Sequence, residues 1–133
     1  METGNIIIKM EVGKIPAIEA ELVKNTLWMT KEEICKFFNC YHRTVESNLK
    51  SIFQNHLLWE NECTYTYRFI FNGVECQRFY YNMDVLIFLS YRIGTREAQI
   101  FRRFINQSFR EYVKRRRKSE KYKIVWIEPP SYN

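Results

Sequence analysis

An α+β fold is predicted for this chain of 133 residues by three patterns in its sequence. Two short amphipathic helices separated by a tight turn occupy residues 30–53, a strand, turn and strand cover 63–81, and a long amphipathic helix follows Thr95. These patterns are typical of a winged helix-turn-helix-like single domain with a small antiparallel sheet and a long basic C-terminal helix. The predicted parts are N-terminal strands (1–29), the helix pair (30–53), a ribbon or wing (63–81), a helical C-terminal part (83–118) and a tail (119–133).

The N-terminal part is predicted to contain short strands. The segments IIIKMEV and IPAIEAELV are followed, after Lys24 and Asn25, by TLWM. This order indicates a short strand and then a hairpin that leads into the first helix. We expect these strands to complete a small mixed sheet together with the ribbon.

The first helix has a defined start. Thr30 and Glu33 have the spacing of a capping box, which predicts that the helix begins at Lys31. An apolar stripe follows at Ile34, Phe37 and Phe38, with the small side chain of Cys35 where two helices cross. Asn39 then occupies the turn position that usually requires glycine, and asparagine tolerates a left-handed backbone better than most residues do.

The second helix presents a buried face and a polar face. Val45, Leu49, Ile52 and Phe53 recur at helical spacing, so we expect them in the core. The positions left to face a partner are Tyr41, His42, Arg43, Thr44, Glu46, Ser47, Asn48 and Lys50. Arginine and asparagine form bidentate hydrogen bonds with base edges, and the leading turn of such a helix enters the major groove of DNA. A surface helix pair without a nucleic-acid role shows the same polar face, because polar residues lie opposite the core of any amphipathic helix.

Residues 63–81 are predicted to form a two-stranded ribbon. Asn72 and Gly73, flanked by β-branched and aromatic residues, suit a two-residue type I′ turn. With Phe71 opposite Val74, the register produces one largely apolar face and places Cys63 opposite Asn82, so we do not expect a disulfide between Cys63 and Cys76. The ribbon is expected either to act as a wing on the DNA backbone, with Arg68 and Gln77 on its outer face, or simply to cover the core.

The C-terminal third carries most of the basic charge. The net charge of the chain is +6, and residues 92–123 contain twelve Lys or Arg against three Glu. Asn82 is predicted to cap a helix from Met83 to about Arg92 that ends at Gly94. Thr95 is predicted to cap a second helix to about Lys118 with a broad buried face, whose apolar positions are Ala98, Phe101, Phe104, Ile105, Phe109, Tyr112 and Val113. A basic stripe opposite that face consists of Arg96, Arg103, Arg110, Lys114 and Arg117. Such a stripe suits phosphate contact or a solvated face.

Composition indicates one domain in the cytoplasm and gives no sign of an enzyme. No apolar run approaches the ~18 residues of a membrane span, and the start lacks the features of a signal peptide. The four cysteines are scattered and there are two histidines, so we expect reduced thiols, no zinc and no cofactor. No nucleophile elbow, phosphate loop or metal signature accompanies Asp84, the single aspartate, so we expect no catalysis and no small-molecule substrate.

Several segments together resemble a known family. The stretches WMTKEEICKFF, YYNMDVLIFLSYRIGT and FRRF, in this order within about residues 26–115, resemble the RhuM-type virulence-associated proteins of bacteria, often found on genomic islands and mobile elements. The resemblance implies a DNA-binding regulator. The segment TREAQIF departs from the family, which more commonly has a sequence like RGTQFR there.

The sequence therefore predicts sequence-specific binding of double-stranded DNA by a homodimer, with transcriptional regulation of a mobile or horizontally acquired locus as the expected role. Base edges would be contacted by Tyr41, Arg43, Thr44, Ser47 and Asn48. Phosphates would be contacted by Thr30, His42, Lys50 and the basic stripe. The alternative is a protein-interaction module that uses exposed aromatic residues such as Trp28, Trp59, Tyr91 and Trp126, with the basic helix as a solvated face.

Overall fold

The computed structural model of the protein describes residues 2–116 and has an α+β fold with small antiparallel sheets and a long C-terminal helix. The predicted fold class is confirmed at this level. The predictions for Arg117, for Trp126 and for the tail over 119–133 lie outside the described residues. In chain order the elements are β1 (Asn5–Lys9), β2 (Ala17–Glu21), β3 (Trp28–Met29), α1 (Lys31–Phe38), α2 (His42–Gln54), α3 (Glu60–Cys63), β4 (Thr64–Phe71), β5 (Val74–Asn82), α4 (Met83–Ser90) and α5 (Arg96–Arg116).

The strands form two separate antiparallel sheets, so the prediction of one mixed sheet was wrong. β1 pairs with β2 alone, and β3 joins the ribbon in the order β3-β5-β4. Lys24 and Asn25 both have positive φ and make a tight turn in which Val23 and Thr26 exchange backbone hydrogen bonds. This turn brings only Trp28 and Met29 against the end of β5. β1 and β2 are joined by a short connection and form their backbone hydrogen bonds with each other.

The core lies between four helices: α1, α2, α4 and the first half of α5. Ile34 and Phe38 of α1 and Val45, Leu49 and Ile52 of α2 are buried as predicted. Phe101 of α5 packs edge-on against Phe37 and Phe38, with ring centroids 5.6 and 5.7 Å apart. Aromatic pairs in this geometry contribute about 0.5–1.5 kcal/mol each beyond the area that they bury.

The ribbon has the predicted turn and register, but only its base belongs to the core. Phe71 lies opposite Val74 across Asn72 and Gly73, both in the left-handed region. Tyr81 at the base of β5 is buried and stacks on Phe53, whereas Phe71 at the tip is 63% exposed. The expectation that the ribbon simply covers the core is therefore wrong for its outer half.

The predicted sides of the ribbon are reversed. Met29 pairs with Tyr81 and is buried, so the strand face that contains Tyr81, Phe79 and Gln77 turns toward the helices. The apolar face, with Tyr65, Tyr67, Phe69 and Phe71 on β4, faces away from them. Trp28 packs against Tyr65 at its base, and the Arg78 guanidinium lies 5.1 Å from the Phe69 ring centroid.

Two predictions about the last helices need correction. α4 begins at its Asn82 cap as expected but ends at Ser90, before Arg92 and Gly94. The Arg102 side chain donates to the carbonyl oxygens of Ser90 and Ile93 and so closes the end of α4. α5 has a buried face only in its first half.

In the second half of α5, Phe109 is 58% and Tyr112 56% exposed, and Val113 is half-buried. The reason is geometric, since α1 and α4 have eight residues each, ~12 Å of helix, and cover only the start of a helix of 21 residues.

None of the helices within residues 2–116 has the length and apolar character needed to cross a membrane.

Candidate nucleic-acid interface

The turn between α1 and α2 fixes the direction of the second helix. Asn39 has φ 51° and ψ 55°, the left-handed conformation predicted from its position. The backbone N–H of Cys40 donates to the Cys35 carbonyl at 3.1 Å, which closes the end of α1. At the other end of α1 the Thr30 hydroxyl accepts from the Glu33 amide and donates to the Glu33 carboxylate. Thr30 thus forms the predicted capping box, and its buried hydroxyl is engaged there instead of facing a phosphate.

The exposed face of α2 contains a polar ridge. Arg43, Ser47, Lys50 and Gln54 follow one another at spacings of four, three and four residues, so their side chains lie along one line of the helix. All four are exposed. Gln54 was not among the predicted contacts, although the same spacing could have identified it. The ridge combines two cations with two hydrogen-bonding groups suited to base edges and phosphates.

The start of α2 is also open to solvent. Tyr41 is 84% exposed and occupies the N-cap position, but its side chain makes no capping hydrogen bond. The first amides of the helix therefore lack a side-chain acceptor, and the first turn contains no acidic residue. Backbone N–H groups in this position suit a phosphate oxygen.

Asn48 connects α2 to Arg92, which follows the end of α4, and also bonds to Thr44 within α2. The Asn48 side-chain amide donates to the Thr44 carbonyl at 2.8 Å, and its oxygen accepts from Arg92 at 3.5 Å. Arg92 also donates to the Ser51 hydroxyl at 3.0 Å. Both ends of Asn48 are thus engaged within the chain, and both it and Thr44 are half-buried. The sequence did not reveal Arg92, because its contacts lie on an element 41 to 44 residues away.

His42 lies in a cluster of charged residues beside the ribbon. Its ring nitrogens are 3.4 Å from the Glu46 carboxylate and 3.8 Å from that of Glu32, while Lys31 lies 3.6 Å from Glu46. These groups line a cleft of about 560 Å³ whose other wall includes Gln77 and Phe79. Two carboxylates next to His42 disfavour an approaching phosphate, so the cluster is less suited to DNA than the ridge is. Exposed ion pairs of this kind contribute about 0–1 kcal/mol each.

The basic stripe of α5 forms a second surface, separate from the ridge. Arg96, Arg103, Arg110 and Lys114 are all exposed, and Arg117 is beyond the described residues. α5 packs on α1 and α4 through the opposite face, so the stripe points away from both. Arg103 also lines a groove between α5 and β2. Its neighbour Arg102 is instead half-buried as the cap of α4, so the two arginines have different roles.

Comparison of the chain with family models, with curated proteins and with solved structures gave no match.

Three of the four cysteines are in surroundings that make their thiols poor nucleophiles. All four are free thiols, including Cys63 and Cys76, as the ribbon register predicted. Burial, and next the neighbouring Cys35, raises the pKa of Cys40 to about 11. Burial also raises the pKa of Cys35 and of Cys63. A thiol with a raised pKa stays protonated at neutral pH and is a poor nucleophile. Within residues 2–116 no group of three or more His, Cys, Asp or Glu side chains has an arrangement that could hold a metal ion.

Proposed function

We propose that this chain is a winged helix-turn-helix-like protein that binds double-stranded DNA in a sequence-specific manner, with α2 in the major groove. The observation that carries the proposal is the exposed ridge of Arg43, Ser47, Lys50 and Gln54 on a helix whose start is fixed by the left-handed turn at Asn39. A recognition helix needs these two properties, a rigid entry and a line of unburied hydrogen-bonding side chains.

The ridge offers distinct contacts along its length. The Arg43 guanidinium, in the first turn of the helix, suits the O6 and N7 acceptors of guanine, and the amide of Gln54 suits adenine. Lys50 and the open amides after Tyr41 suit phosphates on either side. α2 has 13 residues and is therefore ~20 Å long, enough to lie along a groove that is ~12 Å wide.

Further phosphate contacts must come from outside the helix pair, because α1 and α2 together are nearly neutral. Arg96, Arg110 and Lys114 of α5 provide basic charge on a separate surface, and Arg68 of the ribbon is exposed. A homodimer would place two copies of α2 on half-sites about one helical turn apart, ~34 Å. This arrangement doubles the phosphate contacts without requiring any single copy to bind tightly.

The proposed biological role is transcriptional regulation without catalysis. It is supported by the resemblance of the chain to RhuM-type proteins over about residues 26–115. The same resemblance is the reason for proposing that the regulated genes belong to a mobile or horizontally acquired locus. The raised pKa values of Cys35, Cys40 and Cys63 keep these thiols protonated at neutral pH, so none of the three is proposed as a nucleophile.

A protein-interaction module is the second candidate, and the outward face of the ribbon favours it. Tyr65, Tyr67, Phe71 and Val74 form a row of exposed apolar side chains on that face. Aromatic residues in such rows often anchor protein partners. Contacts of this kind depend weakly on salt, which separates this candidate from DNA binding.

Binding of the purified chain to random-sequence duplex DNA across a salt series, together with a selection for preferred sites, tests the proposal. We expect the logarithm of affinity to fall steeply with the logarithm of salt concentration, and one motif to be enriched. Absence of binding at low salt would refute the proposal and favour the interaction module.

The Arg43→Ala variant then tests the ridge itself. We expect it to lose roughly 1–3 kcal/mol of affinity for the selected site and to relax specificity at one base pair. Lys14→Ala is the matched control, because it removes one exposed positive charge from the loop between β1 and β2. Equal effects of the two substitutions would show that only net charge matters.

A further inference from the structure

The second half of α5 has no covering element within residues 2–116. Residues 106–112 are all exposed, although Phe109 and Tyr112 are large and apolar. Residues 106–116 amount to ~16 Å of helix, and a free helix shorter than ~12–15 residues is marginal in water. An amphipathic helix in this situation gains stability when a second surface packs against it.

A groove lies beside this part of α5. It has a volume of about 640 Å³ and runs between the helix and the β1–β2 hairpin. Ile100, Phe104 and Tyr112 line it from α5, and Ile15 and Ile18 line it from the hairpin. Ile15 is 90% exposed, so the wall that it forms is open to a partner.

The charges on the groove face of α5 complement one another when the helix is paired with an antiparallel copy of itself. Arg103 and Glu111 line the groove together with Arg115. Eight residues separate Arg103 from Glu111, ~12 Å along the helix, which is too far for an ion pair between these two within one chain. The ion pairs found within residues 2–116 involve neither of them.

Two antiparallel helices that cross at Gln107 bring Arg103 of each copy opposite Glu111 of the other. A two-fold axis makes this contact twice, as an interface between identical surfaces requires. The small side chain of Ser108 lies next to the crossing point and allows the helices to approach closely. Tyr112 of one copy then lies near the helical turn that contains Ile100 and Arg103 in the other copy.

We propose that a second copy of this chain occupies the groove, with the two α5 helices antiparallel and centred at Gln107. The proposal deepens the DNA-binding function, since it names the surface through which two recognition helices would be joined. It also gives Arg103 a role distinct from that of the other basic residues of α5: this arginine pairs with a carboxylate of the second copy instead of with phosphate.

Sedimentation velocity of the full chain without DNA, over a range of concentrations, tests the proposal. We expect a particle of twice the chain mass for the wild type. The single charge reversals Arg103→Glu and Glu111→Arg each place like charges together twice, so we expect each to raise the dimer dissociation constant at least tenfold. The double variant restores opposite charges and should recover the dimer. Lys36→Glu, a charge reversal at an exposed site on α1, should leave the dimer intact.

A wild type that is monomeric at all concentrations would refute the inference and leave the groove for the chain beyond residue 116 or for a different protein. Dimers that resist both single reversals would place the interface elsewhere. Loss of the dimer in the single variants without rescue in the double variant would also refute the pairing. Because no DNA is present, these results are independent of whether the chain binds DNA, and a helical circular dichroism spectrum confirms that each variant folds.

Discussion

The hydroxyl of Thr95 donates a hydrogen bond to the Phe38 carbonyl oxygen at 2.6 Å and accepts one from the Ala98 amide at 3.2 Å. One side chain thus caps the start of α5 and also binds the last carbonyl of α1. This contact fixes the long basic helix to the turn that leads into α2. The aromatic cluster of Phe37, Phe38 and Phe101 surrounds the same junction.

Thr95→Ala should lower the free energy of unfolding by about 1–2 kcal/mol, because it removes a helix cap and leaves the Phe38 carbonyl without its donor. Urea denaturation measures the loss. Thr95→Ser keeps the hydroxyl and should recover most of the stability. An alanine variant as stable as the wild type would show that solvent replaces both hydrogen bonds.

Asn39→Ala should destabilise the chain by about 1 kcal/mol, because alanine is strained at a φ of 51°. Asn39→Gly should be at least as stable as the wild type, since glycine adopts this backbone without strain. Thermal unfolding of both variants measures the difference. Equal melting temperatures for alanine and glycine would contradict a rigid turn.

Asn48→Ala should affect stability more than DNA affinity. Its side chain is held by the Thr44 carbonyl and by Arg92, so its loss should cost ~1 kcal/mol of unfolding free energy. A double-mutant cycle with Arg92→Ala should show coupling between the two residues. If Asn48→Ala instead weakens DNA binding as strongly as Arg43→Ala does, Asn48 contacts DNA together with the ridge.

Lys50→Ala should weaken binding to all DNA sequences about equally and reduce the salt slope by ~1, as expected for one phosphate contact. Gln54→Ala should instead weaken binding to the preferred site and spare random sequence. Titrations at several salt concentrations separate the two effects. Identical profiles for the two variants would argue against different roles along the ridge.

Stability should fall between about pH 9 and pH 11 in part because of Cys40. Its pKa is raised to about 11 in the folded chain, mainly by burial, so in this range the thiol ionises in the unfolded chain but remains protonated in the folded one. The contribution of Cys40 is therefore complete below pH 9 and lost as the pH rises. Urea denaturation at pH 8 and pH 10 should show a larger decrease for the wild type than for Cys40→Ala. Equal decreases would mean that Cys40 does not contribute.

Local signals in the sequence were sufficient for α1, α2 and the ribbon register. The Thr30 and Glu33 capping box, the left-handed Asn39 and the Asn72 and Gly73 turn each involve residues within a few positions of one another, so their chemistry could be recognised from spacing alone. α3 was missed, since its four residues carry no capping or periodic signal.

Features that depend on distant neighbours could not be predicted in this way. The apolar residues of α5 continue to Val113, but how many of them are buried depends on the lengths of α1 and α4. The side of the ribbon that faces the core is set by the pairing of Met29 with Tyr81. Among the predicted contacts, Arg43, Ser47 and Lys50 lie together on one exposed line, whereas Thr30 and Asn48 are engaged inside the chain.

The order β3-β5-β4 leaves β4 at the edge of its sheet, with the backbone groups of its outer side unpaired by any described strand. Such an edge is a template for another extended chain, and along β4 the single charged side chain is that of Arg68. Concentrated protein should therefore be prone to strand-by-strand self-association at this edge. Ile70→Lys adds a charge at an exposed position on β4 and should keep the protein dispersed without altering the α2 ridge or the α5 groove.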